Sequence, residues 1–280
     1  MAPELEPTPL DLTGAGGRLA GEAVGEGPPV VLLHGLTATR RYVLHGSVAL
    51  ARRGRRLVSY DARGHGDSDP APAGAAYSYG ELADDLRAVL DAIGGGEPPV
   101  LAGHSMGAHT AAALALAGQA ELSALVLICP ASLGAPPPEE ALAGWDRLAD
   151  GLERGGVEGF VRAYEEDLDA GEKWRKTLLR ISRDRLGRHR HPAAVAEALR
   201  QVPRSIPFEG LAELEFLQLP TLVVGSRDEA DPGHPYAVAE AWAERIPGAA
   251  FLSEEAGSSP LAWQGGQLSR AIADFLEREP

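Results

Sequence analysis

The chain has 280 residues, 24% of them charged and 44% hydrophobic, with 26 Lys and Arg against 40 Asp and Glu for a formal charge of −14 at pH 7. That length suits one catalytic-sized core carrying an insertion, and so acidic a surface argues against general nucleic-acid binding. The single cysteine, Cys129, ends an apolar run, which excludes an intrachain disulfide and reads as a buried structural thiol in a cytoplasmic protein.

Residues 1–13 hold three prolines and three acids and no apolar core of signal-peptide length, so neither an export signal nor a membrane span is expected. Stretches 10–12 and 18–24, joined through Gly14, Gly16 and Gly17, read as an edge hairpin. Continuous apolar runs at 30–33 and 56–60 suit strands covered on both faces. Ser78 and Glu81 have capping-box spacing, after which Leu82, Leu86, Val89, Leu90 and Ile93 recur at helical spacing until Gly94. Strand 100–102, a helix and strand 124–129 follow. From 133 to 207, starting at a proline run, only helical patterns are legible. The alternation resumes with strand 221–225, helix 236–245, strand 250–253 and a last helix over 265–277. Repeated strand-helix-strand units predict an α/β fold with a doubly wound, mostly parallel sheet. The core is expected over 1–132 and 208–280, and an inserted helical cap over 133–207.

Three motifs lie on this framework: Leu33-His34-Gly35-Leu36 after the first buried strand, Asp61-Ala62-Arg63-Gly64-His65-Gly66-Asp67-Ser68 after the second, and Gly103-His104-Ser105-Met106-Gly107 between a strand and an Ala/Leu helix. The last has the strand-turn-helix setting of a nucleophile elbow, where glycine neighbours allow a strained serine and close approach of strand and helix. A serine hydroxyl needs a base and charge stabilisation to act as a nucleophile. The backbone amides of Leu36 and Met106 are the expected oxyanion donors, each worth ~3 kcal/mol of transition-state stabilisation.

Together the motifs resemble the α/β-hydrolase family, from about residue 10 to the C-terminus. The resemblance implies Ser105 as nucleophile and, from the match of Gly225 to Pro232 to a G-x-x-D-x-x-x-P pattern, Asp228 as the acid. It also implies a histidine after the next strand, where this chain instead has Ser258, and no histidine follows His234. Loss of a triad member removes ~4 to 6 orders of magnitude in turnover, and a serine hydroxyl takes no proton at neutral pH.

The other histidines divide by context. His34, His65 and His104 sit in the turns and are expected to hold loops, His109 to pack on the elbow helix, and His45 to lie at the surface. His234, six residues past Asp228, reads equally as a relocated base oriented by Asp228 or Asp231 and as a cap-like residue at a helix start. His189 and His191 could swing over Ser105 from the cap, although a solvated basic turn is the plainer reading. Between 173 and 204 stand ten Lys or Arg and two acids. With Trp145 and Trp174, that stretch either lines an entrance for an anionic substrate or forms a solvated face salt-bridged to the acidic core. No metal-ligand spacing, phosphate loop or dinucleotide fingerprint occurs, so no cofactor is expected. The expected activity is hydrolysis of a small acyl compound, an ester first, by an acyl-enzyme. A silent ligand-binding protein and a cofactor-free lyase are the alternatives.

Overall fold

A computed structural model describes residues 5–94, 96–168, 172–228 and 230–278. The start of the N-terminal stretch, Glu229 beside the expected acid, and the side chain of Lys173 lie outside the described residues.

Eight strands form one sheet: β1 (Thr8–Gly14), β2 (Gly17–Val24), β3 (Pro29–Leu33), β4 (Arg56–Tyr60), β5 (Val100–His104), β6 (Ala124–Ile128), β7 (Thr221–Val224) and β8 (Ala250–Leu252). Their order is β1-β2-β4-β3-β5-β6-β7-β8. The hairpin β1–β2 runs antiparallel to the rest, and β3 to β8 are mutually parallel. Helices α1 (Tyr79–Ile93), α2 (Met106–Leu116) and α6 (Tyr236–Arg245) connect the strands, α3 (Glu139–Asp167), α4 (Glu172–Leu186) and α5 (Pro192–Gln201) form the insertion between β6 and β7, and α7 (Gly265–Leu276) follows β8.

Alternate residues of each strand face opposite layers. Val31, Val58, Leu101, Leu125 and Val223 pack with α1, α2 and α6, while Val30, Leu57, Val100, Val126 and Leu222 pack with α7. Both faces are therefore dry, which explains apolar runs without polar alternation. The Ser78–Glu81 capping box opens α1 as its spacing requires. β5 extends past its apolar run because Gly103 and His104 still pair with Leu127 and Ile128 of β6.

In the insertion, α3 breaks at Gly156, where φ 57° and ψ −151° leave the helical region. Its two arms close where a Cβ on Gly159 would sit on the Gly151 carbonyl oxygen. A cluster of buried side chains from α3 and α5 takes in Leu36 and Met106 of the core, together with Tyr77 and Tyr79. The insertion thus sits directly over the two turns that flank Ser105.

Candidate active site

Ser105 stands between β5 and α2 with φ 53° and ψ −114°, one of three non-glycine residues with positive φ among the described residues. Such a conformation costs ~1–3 kcal/mol and persists only where the surroundings enforce it. The Ser105 N–H donates to the Ile128 carbonyl at 2.9 Å, and the His109 N–H donates to the Ser105 carbonyl at 3.0 Å. Neither flanking glycine has room for a side chain: a Cβ on Gly103 would lie 2.2 Å from the Gly107 carbonyl oxygen, and one on Gly107 would lie 2.2 Å from that of Leu33. Met106 is the first residue of α2, so its N–H has no carbonyl one turn back and faces outward at the helix's positive end.

The turn after β3 lies against this elbow: a Cβ on Gly35 would be 3.2 Å from His104 Nδ1 and 3.5 Å from Ser105 Cβ. Three consecutive carbonyls of the turn each face a histidine ring. Gly35 accepts from His34 Nδ1 at 2.8 Å, the Leu36 oxygen lies 2.6 Å from His65 Nε2, and Thr37 accepts from His189 Nε2 at 3.2 Å. Backbone amides fix two of the tautomers, since Ala62 N–H donates to His34 Nε2 at 2.9 Å and Gly66 N–H to His189 Nδ1 at 2.8 Å. The reading of His34 and His65 as loop-holding residues agrees with these bonds. His189 departs from expectation. It is 7% exposed and clamps the insertion to the core, so it belongs neither to a solvated basic turn nor to a swinging arm. Burial pulls its pKa down to about 3.

His109 Nδ1–H donates to the Tyr79 hydroxyl at 2.7 Å, and His109 Nε2 accepts from the Ala131 and Ser132 amides at 2.9 and 3.2 Å. It is fully committed to packing, with burial holding its pKa near 3. The His104 ring lies 5.2 Å from that of His234 in an edge-on contact. Burial and the neighbouring His234 push its pKa down to about 3.

His234 is paired, but with Asp231 rather than Asp228: Nδ1 lies 2.7 Å from Asp231 Oδ2. The turn that follows β7 explains the choice. Asp231 N–H donates to the Asp228 carbonyl and His234 N–H to that of Asp231, so a three-residue step folds the Asp231 side chain back onto the ring. The Asp228 carboxylate is turned inward on its own loop and accepts from Ala230 N–H at 3.0 Å. Burial alone would raise the Asp231 pKa, but the His234 hydrogen bond and the charges of His234, His104 and Arg185 outweigh it and hold the carboxyl below its ordinary value. No hydrogen bond joins Ser105 to His234 among the described residues.

Ser258 is exposed in a turn, with its N–H on the Glu255 carbonyl at 3.0 Å. Trp263 is half-buried, touching the α7 layer on one side and the cluster of Val161, Leu168, Leu178, Leu179 and Ala230 on the other.

Several arginines of the basic stretch are neutralised by acids. Arg183 pairs with Glu158 at 2.8 Å, Arg188 with Asp184 at 3.0 Å, Arg200 with Glu153 at 2.7 Å, and Arg204 with Asp146 at 2.7 Å. Trp145 packs into the buried cluster of the insertion, and Trp174 is exposed. Two further residues stand near the site. Arg185 has no acid within ion-pair distance among the described residues and its Nε is buried without a hydrogen-bond partner, and His45 is exposed, as its context suggests, with φ 48° and its Cβ against Gly265 at the start of α7. Its only local sign is the His-Gly pair it forms with Gly46.

The family model described as alpha/beta hydrolase fold matches residues 28–170, half of the chain. The chain belongs to the α/β-hydrolase-fold family. Over 111 residues it is 38% identical to an sn-1-specific diacylglycerol lipase of Mus musculus, a match that covers 39% of this chain and only 35% of that protein. It is 33% identical over 190 residues to a 2-hydroxy-6-oxononadienedioate/2-hydroxy-6-oxononatrienedioate hydrolase of Pseudomonas putida, covering 64% and 63% of the two chains. A malate-bound thermophilic esterase from Thermogutta terrifontis superposes with a TM-score of 0.76 at 25% identity over 98% of each chain. No helix among the described residues of this family member is long and apolar enough to cross a membrane.

Proposed function

We propose that this α/β-hydrolase-fold chain is a serine hydrolase of a small acyl compound, a carboxylic ester first, with Ser105 as nucleophile, His234 as base and Asp231 as the base's orienting acid. The observation that carries the reading is the strained Ser105 backbone at the head of α2, a conformation with no packing purpose that glycines on both sides are needed to permit. An esterase and two further hydrolases among the similar proteins support the reaction class.

In the reaction, Ser105 Oγ attacks the acyl carbon while its proton passes to His234 Nε2. The oxyanion is met by the amides of Leu36 and Met106, and the alcohol leaves with the proton returned from His234. Water then attacks the acyl-Ser105 ester by the same route and releases the acid. Asp231 stabilises the transient imidazolium without taking the proton. The helical insertion over 133–207 acts as the cap, since it packs on the side chains of the oxyanion residues.

A fluorophosphonate probe tests the assignment. Labelling mapped to Ser105 and lost in Ser105→Ala and His234→Ala supports it. Labelling that survives His234→Ala removes His234 as base and turns attention to His45. Folded protein that takes no label is a ligand-binding member of the family, a reading favoured by the absence of a histidine after β8.

A further inference from the structure

Helix α4 presents two kinds of arginine. Arg183 lies on its outer side and is exposed and ion-paired, as is Arg188 just past its end. Its inner stripe is formed by Leu178, Leu179, Ser182 and Leu186, all buried, and continues to His189. Arg185 falls on that inner stripe, one turn from Ser182 and one turn from His189. Its Nε is buried and has no hydrogen-bond partner, and no carboxylate among the described residues lies within ion-pair distance of its guanidinium.

Helix α4 packs beside the site described above, since its Leu178 and Leu179 cluster with Ala230, the neighbour of Asp231, and Arg185 follows them on the same stripe. Its charge acts on His104, next to Ser105, and on Asp231, the partner of His234, as well as on His45 and His189. Burial draws its pKa below the ordinary guanidinium value, against the opposing pull of Tyr164, Asp231 and Tyr42. The position is held firmly from both sides. Tyr42 hydroxyl donates to Asp184 Oδ2 at 2.5 Å, and Arg190 N–H donates to the Gly66 carbonyl at 2.8 Å. A half-buried arginine whose Nε has no partner is costly to the free protein, and a planar fork of donors is matched by a carboxylate. The acidic chain has 40 carboxylates and uses many of them on neighbouring arginines, yet it leaves this one open.

We propose that Arg185 binds a carboxylate of the substrate, so that the hydrolase acts on acyl compounds that carry a free acid group beside the scissile bond. This rests on the serine-hydrolase reading for turnover but not for binding. Arg185 reaches substrate and is therefore a specificity residue, while the paired arginines of α4 only dress the surface of the cap.

Two arms test it. In the first, mono(4-nitrophenyl) glutarate is compared with 4-nitrophenyl butyrate, which has a similar chain without the charge. Arg185→Gln is expected to lower the ratio of the two kcat/KM values by about ten- to a hundred-fold, the loss typical of a charged hydrogen bond, while Arg183→Gln leaves the ratio where it was. An unchanged ratio in Arg185→Gln overturns the proposal. The second arm needs no turnover: glutarate should raise the melting temperature of Ser105→Ala protein and fail to do so when Arg185→Gln is added. Arg185→Gln alone should also raise the melting temperature of the ligand-free protein, because it removes an unpaired charge; a large drop marks a structural arginine and overturns the proposal, as does equal stabilisation by glutarate with and without Arg185. If neither ester is hydrolysed, the enzymatic reading fails and the glutarate arm still decides the role of Arg185.

Discussion

Lowering the pH from about 7.5 to about 5.5 should destabilise this protein far more than its surface charges alone would do. His109 and His189 are 5% and 7% exposed, and each has a ring nitrogen that already accepts from a backbone amide, Ala131 and Ser132 for the first and Gly66 for the second. A second proton would be driven against those N–H groups, which is why burial holds both pKa values near 3, against an ordinary 6.5. The unfolded chain binds protons below 6.5 and the folded chain does not, so stability is complete above 6.5 and falls steadily as the pH drops toward 3. One pH unit below the unfolded value, each such histidine forfeits ~1.4 kcal/mol, about 3 kcal/mol for the two. His34 and His104, also lowered by burial, act in the same direction. Asp61, raised by burial despite its bonds from Arg40 and Asp67, acts in the opposite sense, but nearer the carboxylate range. Domains of this kind hold about 5–15 kcal/mol in all, so the loss is a large share. Urea titrations read by circular dichroism at the two pH values measure it directly, and His109→Gln should reduce the loss between them by roughly 1.4 kcal/mol. A free energy of unfolding that stays within about 1 kcal/mol across this range refutes the neutral, amide-locked histidines.

Three further outcomes follow from named contacts. Asp231→Asn should lower kcat by about three to four orders of magnitude, whereas Asp228→Asn, whose side-chain oxygen can still accept from Ala230 N–H, should stay within about threefold of the parent. Steady-state kinetics showing the reverse order would restore Asp228 as the acid. Gly107→Ala places a Cβ 2.2 Å from the Leu33 carbonyl oxygen and should yield no folded protein, as judged by soluble expression and circular dichroism; wild-type stability would mean that the strand and helix can part at the elbow. Asp85→Asn weakens the 2.6 Å bond that Asp85 accepts from Arg63 Nε in a pair only 3% and 1% exposed, and should cost about 3–5 kcal/mol in urea unfolding. The Arg63→Met/Asp85→Leu double variant should lose less, since it leaves no buried charge unpaired.

The strands and helices of the core were legible because each carries its own signal over a few residues. The α1 capping box and the run at 56–60 needed no distant partner to be recognised, and the structure ends those elements at Ile93 and Tyr60. Ser105 was legible for the same reason, since two glycines, a strand and a helix around one serine form a local pattern. The resemblance that named Asp228 rested on spacing alone. Spacing places a residue on a loop, but the path of that loop decides which carboxylate reaches His234. The exposed position of Ser258 was equally invisible, because a match of intervals cannot say that the turn over 255–259 faces solvent.

The sequence by itself determined the sheet, its parallel topology and the strained serine, since apolar periodicity, caps and glycine spacing act between residues near in the chain. Only the tertiary structure decided that Asp231 holds His234, that His34, His65 and His189 grip three successive carbonyls of one turn, and that the Nε of Arg185 is buried without a partner. Those are relations between segments up to 152 residues apart, and they depend on how the insertion settles on the core. Charge composition could count the arginines, but only packing could leave one of them without a partner.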